Sequence, residues 1–364
     1  MKDEPPVLTA VSSSARQLFT LLRCIAFASK AHVILSEEGL KFSVDEASVM
    51  EASAFLDKAL FTTFNFHPPS IPPSSADSDD EDATPPLTFH ISLTALLETL
   101  QIFGLTDPNT SKPPWARDNP YPTSTAFNSV LGMNNLCRIT YDTPGAPLSI
   151  ILTEASVRTS CDLTTYEPEY TDEIPFDRQN LAFKTIMRGS WLYDAIVELS
   201  STSPDKLTMY AKMVRGKPFF ALSSTGTLGS ARVEFNNQPP RSSFRAAAMN
   251  EDANAPPANL LETFQLSDGT TLLRQSYKYT YIQKAARAMS VASKVSVRVD
   301  AQGVLSMQFM IEVDPAAGGG TSKVSFVDFR FVPLVDDEDE GGDEGETFMQ
   351  NGDGDDRDDG YDAF

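Results

Sequence analysis

The chain has 364 residues, 41% of them hydrophobic, which is enough for two domains of ordinary size with buried cores and excludes a wholly disordered protein. Its formal charge of −21 would argue against a nucleic-acid partner if it were evenly spread. It is not: residues 336–364 carry fourteen acidic side chains against one arginine, net −13, and Asp77, Asp79, Asp80, Glu81 and Asp82 add −5, which leaves −3 for everything else. A nearly neutral remainder can still carry a basic patch. No run of about 18 apolar residues occurs and Met1–Pro6 lacks an apolar core, so neither a membrane span nor a secretory leader is expected. Cys24, Cys137 and Cys161 are an odd, widely spaced set, which fits a reducing compartment, cytosol or nucleus, better than a disulfide scaffold or a metal site.

In chain order, a first helix over about Arg16–Ala26 sets Leu18, Leu21, Leu22 and Ile25 on one face. A hairpin follows, with Val33 and Leu35 alternating on one arm, a Glu37-Glu38-Gly39 turn, and Leu40, Phe42 and Val44 alternating on the other. A strand from Leu87 to Ile91 then leads into a second helix with Leu93, Leu96, Leu97 and Leu100, closed by Gly104. Its hairpin carries Cys137, Ile139 and Tyr141, a Thr143-Pro144-Gly145 turn, and Ser149–Leu152. The third block has a strand from Leu181 to Met187, a helix with Leu192, Ala195, Ile196 and Leu199, and a hairpin over Leu207–Leu222. In the fourth, a helix carries Ile282, Ala285, Ala286 and Met289, and Val295, Val297 and Val299 alternate against Leu305, Met307, Phe309 and Ile311 around Gly303. Four segments are loose by composition: Pro68–Pro86, Asp107–Ser124, Asn236–Asn259 and the acidic stretch from Asp336.

A plan that recurs four times predicts an α+β protein with a doubled domain, in which antiparallel sheets keep their helices on one face and leave the outer helix surfaces to a partner. On the first helix Arg16, Arg23 and Lys30 recur every seven residues, opposite Leu18, Leu22 and Ile25. On the fourth, Lys284 and Arg287 lie opposite Ile282 and Met289. These five are the candidate DNA-facing residues, since such cations meet phosphates without regard to sequence. A charged stripe opposite an apolar one is also what any solvated helix shows. The second helix offers Thr94, Glu98 and Gln101 and the third Asp194 and Glu198, so only half of the helical surface is basic.

Three stretches, GKPFFALSSTGTLGSA (216–231), SKVSVRVDAQGVLSMQFMI (293–311) and EASVRTSCDLTTYEPE (154–169), resemble the Rad-one subunit of the checkpoint clamp, whose fold is that of PCNA-like sliding clamps. The resemblance implies two similar domains, each of two βαβββ units, with sheets outside and helices lining a hole: residues 1–165 (with loose loops 67–86 and 105–128), a connector over 166–180, residues 181–335 (with a loose loop 236–260) and a disordered acidic tail, 336–364. It further implies a nuclear, non-enzymatic subunit that assembles with Rad-nine and Hus-one type subunits. A clamp loader would place the assembly on double-stranded DNA at recessed junctions, where it serves checkpoint signalling and repair proteins. Candidate subunit edges are Ser149–Ser156 and Ala231–Asn236, and by position Val44, Val49, Val332 and Pro333 resemble a partner pocket near the connector.

Two other readings stay open. A replicative homotrimeric clamp would share the repeat and the basic helices. A nuclease would need carboxylates held rigidly around divalent ions, whereas the richest carboxylate runs, Asp77–Asp82 and Asp336–Asp362, sit where composition predicts disorder. His32, His67 and His90 lack a triad or HExxH context, and Gly226, Gly229 and Gly318–Gly320 mark turns rather than phosphate-cradling loops. No catalytic residue, metal site or cofactor is therefore assigned.

Overall fold

Apolar side chains at every second position build most of this chain, and three antiparallel sheets result. The computed structural model describes residues 5–68, 87–102, 136–154, 157–168, 173–236, 260–313 and 323–335. The first elements are β1 (Leu8–Ser12), α1 (Ala15–Cys24), β2 (Lys30–Ser36), β3 (Gly39–Glu46), β4 (Met50–Asp57) and β5 (Thr63–Phe66). There follow β6 (Leu87–Ser92), α2 (Leu93–Leu100), β7 (Leu136–Tyr141), β8 (Leu148–Glu154) and β9 (Val157–Leu163). The second half comprises β10 (Leu181–Arg188), α3 (Gly189–Leu199), β11 (Pro204–Val214), β12 (Lys217–Gly226), β13 (Gly229–Asn236) and β14 (Thr263–Leu266). It ends with β15 (Leu272–Lys278), α4 (Tyr279–Lys284), α5 (Ala286–Val291), β16 (Lys294–Asp300), β17 (Leu305–Val313) and β18 (Lys323–Phe331). The order strand, helix, three strands occurs four times. The short strands β5 and β14 are additions to the sequence expectation.

One sheet runs β5-β1-β7-β8-β9 and another β13-β12-β11-β15. The third has nine strands in the order β14-β10-β16-β17-β18-β4-β3-β2-β6, so the chain's first and last thirds are sewn together where β18 pairs with β4. On one face of this sheet Val33, Phe42, Val44, Ala52, Phe329, Phe309 and Val297 are buried in the core. The opposite face carries Lys41, Glu51, Arg298, Asp328 and Arg330. The apolar faces foreseen for the helices are the buried ones (Leu18, Leu21 and Leu22; Leu93, Leu96, Leu97 and Leu100; Leu192, Ala195, Ile196 and Leu199; Ile282, Ala285 and Met289), except that Ala286 is half-buried.

Helix starts follow local chemistry. Ser14 Oγ accepts from the Gln17 N–H at 3.4 Å and Ser92 Oγ from the Ala95 N–H at 3.2 Å. α3 instead begins straight out of β10, because Gly189 lets its backbone approach the end of α5. A Cβ there would lie 2.5 Å from the Ala292 carbonyl oxygen and 2.7 Å from that of Met289. Gly189→Ala is expected to destabilise the fold by about 1–3 kcal/mol, the usual range for forced overpacking, and urea unfolding will measure it.

Two helix expectations need correction. α1 stops at Cys24, so Lys30 is the first residue of β2 and not a third turn of the basic stripe. The segment between them is claimed by tertiary contacts. Ile25 is buried, the Phe27 ring lies 6.3 Å from that of Phe329, and the Ser29 carbonyl accepts the Leu93 N–H at 2.8 Å at the start of α2. The fourth helix is likewise two short ones, α4 and α5, which break at Ala285 (φ −80°, ψ −2°). Gly104 and nearly all of the loops and tail that looked loose by composition lie outside the described residues.

Candidate nucleic-acid interface

Burying one stripe of each helix leaves the other side outward, and the cations there are unevenly shared. On α1 Arg16 and Arg23 are exposed opposite Leu18 and Leu22. Arg287 on α5 is exposed, and it lies near enough to the buried Cys24 thiol to oppose the burial that pushes that thiol up to about 12. α1 and α5 touch each other, so these three arginines occupy neighbouring helices. Lys284 on α4 is half-buried, ion-paired with Glu46 at the end of β3, with its ammonium 5.6 Å from the centres of both the Phe27 and Tyr281 rings. Its charge is largely spent within the fold. Lys30 is exposed on β2, 5.6 Å above the Tyr166 ring.

The outward residues of α2 and α3 include Thr94 and Glu98, and Asp194 and Glu198 respectively, all exposed. Two exposed cations were missed by reading the helices alone: Arg188, with its guanidinium 5.1 Å from the Trp191 ring, and Lys278, 5.1 Å from the Tyr281 ring. Both are the last residue of a strand running straight into a helix. A search that included the residue before each helix would have found them.

The stretch foreseen as a connector, 166–180, is described at 166–168 and 173–180, and it crosses the polar face of the nine-stranded sheet. Tyr166 forms a backbone bridge with His90. Glu173 pairs with Lys41 at 2.7 Å, the Ile174 N–H donates to Glu51 Oε2 at 3.0 Å, and Arg330 Nη1 donates to the Ile174 carbonyl at 2.7 Å. Further on, the Arg298 guanidinium lies 5.6 Å from the Phe176 ring and the Asp177 N–H donates to Asp300 Oδ2 at 3.2 Å. Burial pushes the Glu51 carboxyl up, opposed by Arg330 and the Ile174 N–H. The Lys41 hydrogen bond instead holds Glu173 down. Of the candidate partner-pocket residues, Val49 and Val332 meet through a backbone hydrogen bond of 2.9 Å, and both are half-buried beside Pro333. Val44 does not join them. It is 3% exposed, on the core face with Leu40 and Phe42, because strand alternation turns it away from the connector.

Among the described residues no group of three or more His, Cys, Asp or Glu side chains is placed to hold a metal ion. His32 and His90 face each other across β2 and β6 with ring centres 5.0 Å apart, and burial lowers the His32 imidazole's affinity for a proton, as does the nearby His90.

Residues 7–311 match the family model described as Repair protein Rad1/Rec1/Rad17. The chain belongs to this family. Among curated relatives of this Rad1-family chain, the "DNA damage checkpoint control protein rad1" of Schizosaccharomyces pombe is 31% identical over 322 residues, covering 88% of this chain and 84% of that protein. The "Cell cycle checkpoint protein RAD1" of Homo sapiens is 28% identical over 332 residues, covering 91% and 93%. A third relative, "DNA repair exonuclease REC1" of Mycosarcoma maydis, is 25% identical over 201 residues, covering 48% of this chain and 39% of that protein. The resemblance drawn from residues 154–169, 216–231 and 293–311 thus led to the right family, and the Rad1-family match runs from β1 into β17.

Proposed function

We propose that this Rad1-family chain is a non-enzymatic subunit of a heterotrimeric sliding clamp that encircles duplex DNA and serves DNA damage checkpoint signalling and repair in the nucleus. The observation that carries the reading is the outward placement of Arg16, Arg23 and Arg287 on the touching helices α1 and α5 of a fold that repeats strand, helix and three strands four times. In this reading the sheets form the outside and the helices line the hole. Residues 1–165 and 181–335 are its two domains and 166–180 is the connector. The edge foreseen at Ser149–Ser156 needs correction, because β8 is hydrogen-bonded to β7 on one side and β9 on the other, so in this reading neighbouring subunits pair at the outer strands β9 and β13. Rad-nine and Hus-one type chains are the neighbours, a checkpoint clamp loader opens the ring at recessed junctions, and Val49, Val332 and Pro333 remain the candidate contacts for partner peptides. The checkpoint names of relatives that cover about nine-tenths of the chain support a role without catalysis. The exonuclease reading rests on the printed name of a relative that covers 48% of it.

Light scattering tests the assembly: the chain is expected to be monomeric alone and to form a 1:1:1 ring when mixed with Rad-nine and Hus-one type subunits. A homotrimer would turn the reading to a replicative clamp, and a monomer in both conditions would remove it. A second expected result concerns the helix surface. Arg16→Ala with Arg23→Ala should lower the slope of log affinity against log salt for the assembled trimer on duplex DNA by about 2, roughly 0.9 per lost phosphate contact. An unchanged slope takes α1 out of the DNA-facing surface.

A further inference from the structure

Strands β12, β11 and β15 are neighbours, and their registers place Thr225 opposite Lys206 and Lys206 opposite Lys278, so three polar side chains form one row across the sheet. Alternation settles which way the row points. Leu207 and Met209 share a small cavity with Leu192 and Ile196 of α3, so Lys206 and its row leave the sheet on the face away from α3, at the end where Lys278 also reaches the Tyr281 ring of α4. Like charges directly opposite one another on paired strands repel. Both lysines are exposed, and neither forms an ion pair among the described residues. They line an open pocket of about 660 Å³ together with Thr225, Thr227, Gly226, Asp205 and Leu334. Among the described residues that line it, Asp205 is the one carboxylate against two lysines, so their net charge is positive. Two hydroxyl donors, Leu334 as an apolar wall and Gly226 without a side chain complete it.

We propose that this pocket binds a phosphate monoester carried by a peptide segment of a partner protein. A dianion between Lys206 and Lys278 converts their repulsion into two charge-assisted hydrogen bonds, and the Thr225 and Thr227 hydroxyls are placed to donate to its remaining oxygens. The peptide flanking it packs its apolar part on Leu334. DNA backbone is the less fitting source of the phosphate, because the row lies on the sheet face turned away from α3. This preference for a peptide over DNA rests on the proposed reading in which the helices face the duplex.

The test uses the full chain with labelled threonine and leucine methyl groups, titrated with N-acetyl-phosphoserine amide at constant ionic strength and followed by NMR. Saturable shifts are expected at the methyls of Thr225, Thr227 and Leu334. In Lys206→Gln with Lys278→Gln the apparent affinity should fall at least tenfold, while Lys206→Arg with Lys278→Arg retains most of it. The glutamine variant should unfold no lower in temperature than the parent, since a repulsion has been removed, so loss of binding cannot be loss of fold. Absence of saturable shifts in the parent chain, or binding unchanged in the glutamine variant, overturns the proposal. So does a short DNA duplex that moves the same methyls, with the same dependence on the two lysines, where phosphoserine does not.

Discussion

Phe329→Ala is expected to lower the unfolding free energy by about 3–5 kcal/mol, the range for removing a large aromatic side chain from a core. Phe329 is fully buried on β18, opposite Met307 of β17 and Ala52 of β4. Its ring lies 5.6 Å from that of Phe309, edge-on, 6.1 Å from Phe331, stacked, and 6.3 Å from Phe27. The loss has two parts: apolar area returned to water, and a cavity that these strands cannot close because both of their neighbours are already hydrogen-bonded in register. Aromatic pairing adds about 0.5–1.5 kcal/mol per contact beyond area. Urea unfolding monitored by circular dichroism measures the effect. Val324→Ala, at the 40% exposed start of the same strand, should stay within about 0.5 kcal/mol and serves as the comparison. A loss under about 1 kcal/mol for Phe329→Ala would mean that the β4–β18 seam contributes little.

Removal of the Arg330 side chain is expected to cost about 2–4 kcal/mol at neutral pH and markedly less near pH 4.5, because it leaves a nearly buried carboxylate without its partner. Arg330 lies 3.7 Å from Glu51 and 3.5 Å from Glu173, and the Glu51 side chain is 10% exposed. Without the guanidinium, burial raises the Glu51 carboxyl further above its ordinary 4.5. A raised carboxyl holds its proton more tightly in the folded state. It is least costly below about 4.5 and costs stability as pH rises through its folded value. Glu173 works in the other sense: held below 4.5 by Lys41 and Arg330, it contributes stability above that pH and loses it as pH falls. Both effects make the deficit of Arg330→Ala grow with pH. Urea midpoints of the two proteins at pH 7.5 and pH 4.5 decide the matter, and a deficit equal at both would show that the cluster's charge is not what secures residues 173–174.

Much of this fold was legible because it rests on local periodicity. The run Leu18, Leu21, Leu22 and the alternation Val295, Val297, Val299 fix a helix face and a strand face whatever lies around them, and all six side chains are buried. What escaped is set by distant residues. The seven-residue recurrence of Arg16, Arg23 and Lys30 reads as one helix surface, and no glycine or proline between Cys24 and Lys30 warns of an ending. The ending comes from Phe27 meeting Phe329, more than three hundred positions away. Lys284 carries the spacing of an outward cation, yet its partner is Glu46 on a strand of the first third. Val44 alternates with Leu40 and Phe42, and that pleat, legible in the sequence, outweighs its place after a hairpin and puts it on the core face. Arg188 and Lys278 lie at strand ends, where helical periodicity has nothing to say.

The pairing of β4 with β18 also bears on how the polypeptide leaves the ribosome. β4 is made within the first 57 residues, yet the strand that hydrogen-bonds its second edge is not complete until Phe331. Through most of synthesis the nascent chain therefore carries an unsatisfied edge bearing Met50, Ala52, Ala54 and Leu56, the kind of template on which chains pair wrongly. A product that terminates before Lys323 keeps that edge open for good, and one long enough to contain β17 bares that strand's far side as well. Prematurely stopped or nicked chains should accordingly accumulate as aggregates rather than as soluble fragments, leaving only full-length molecules to enter any assembly.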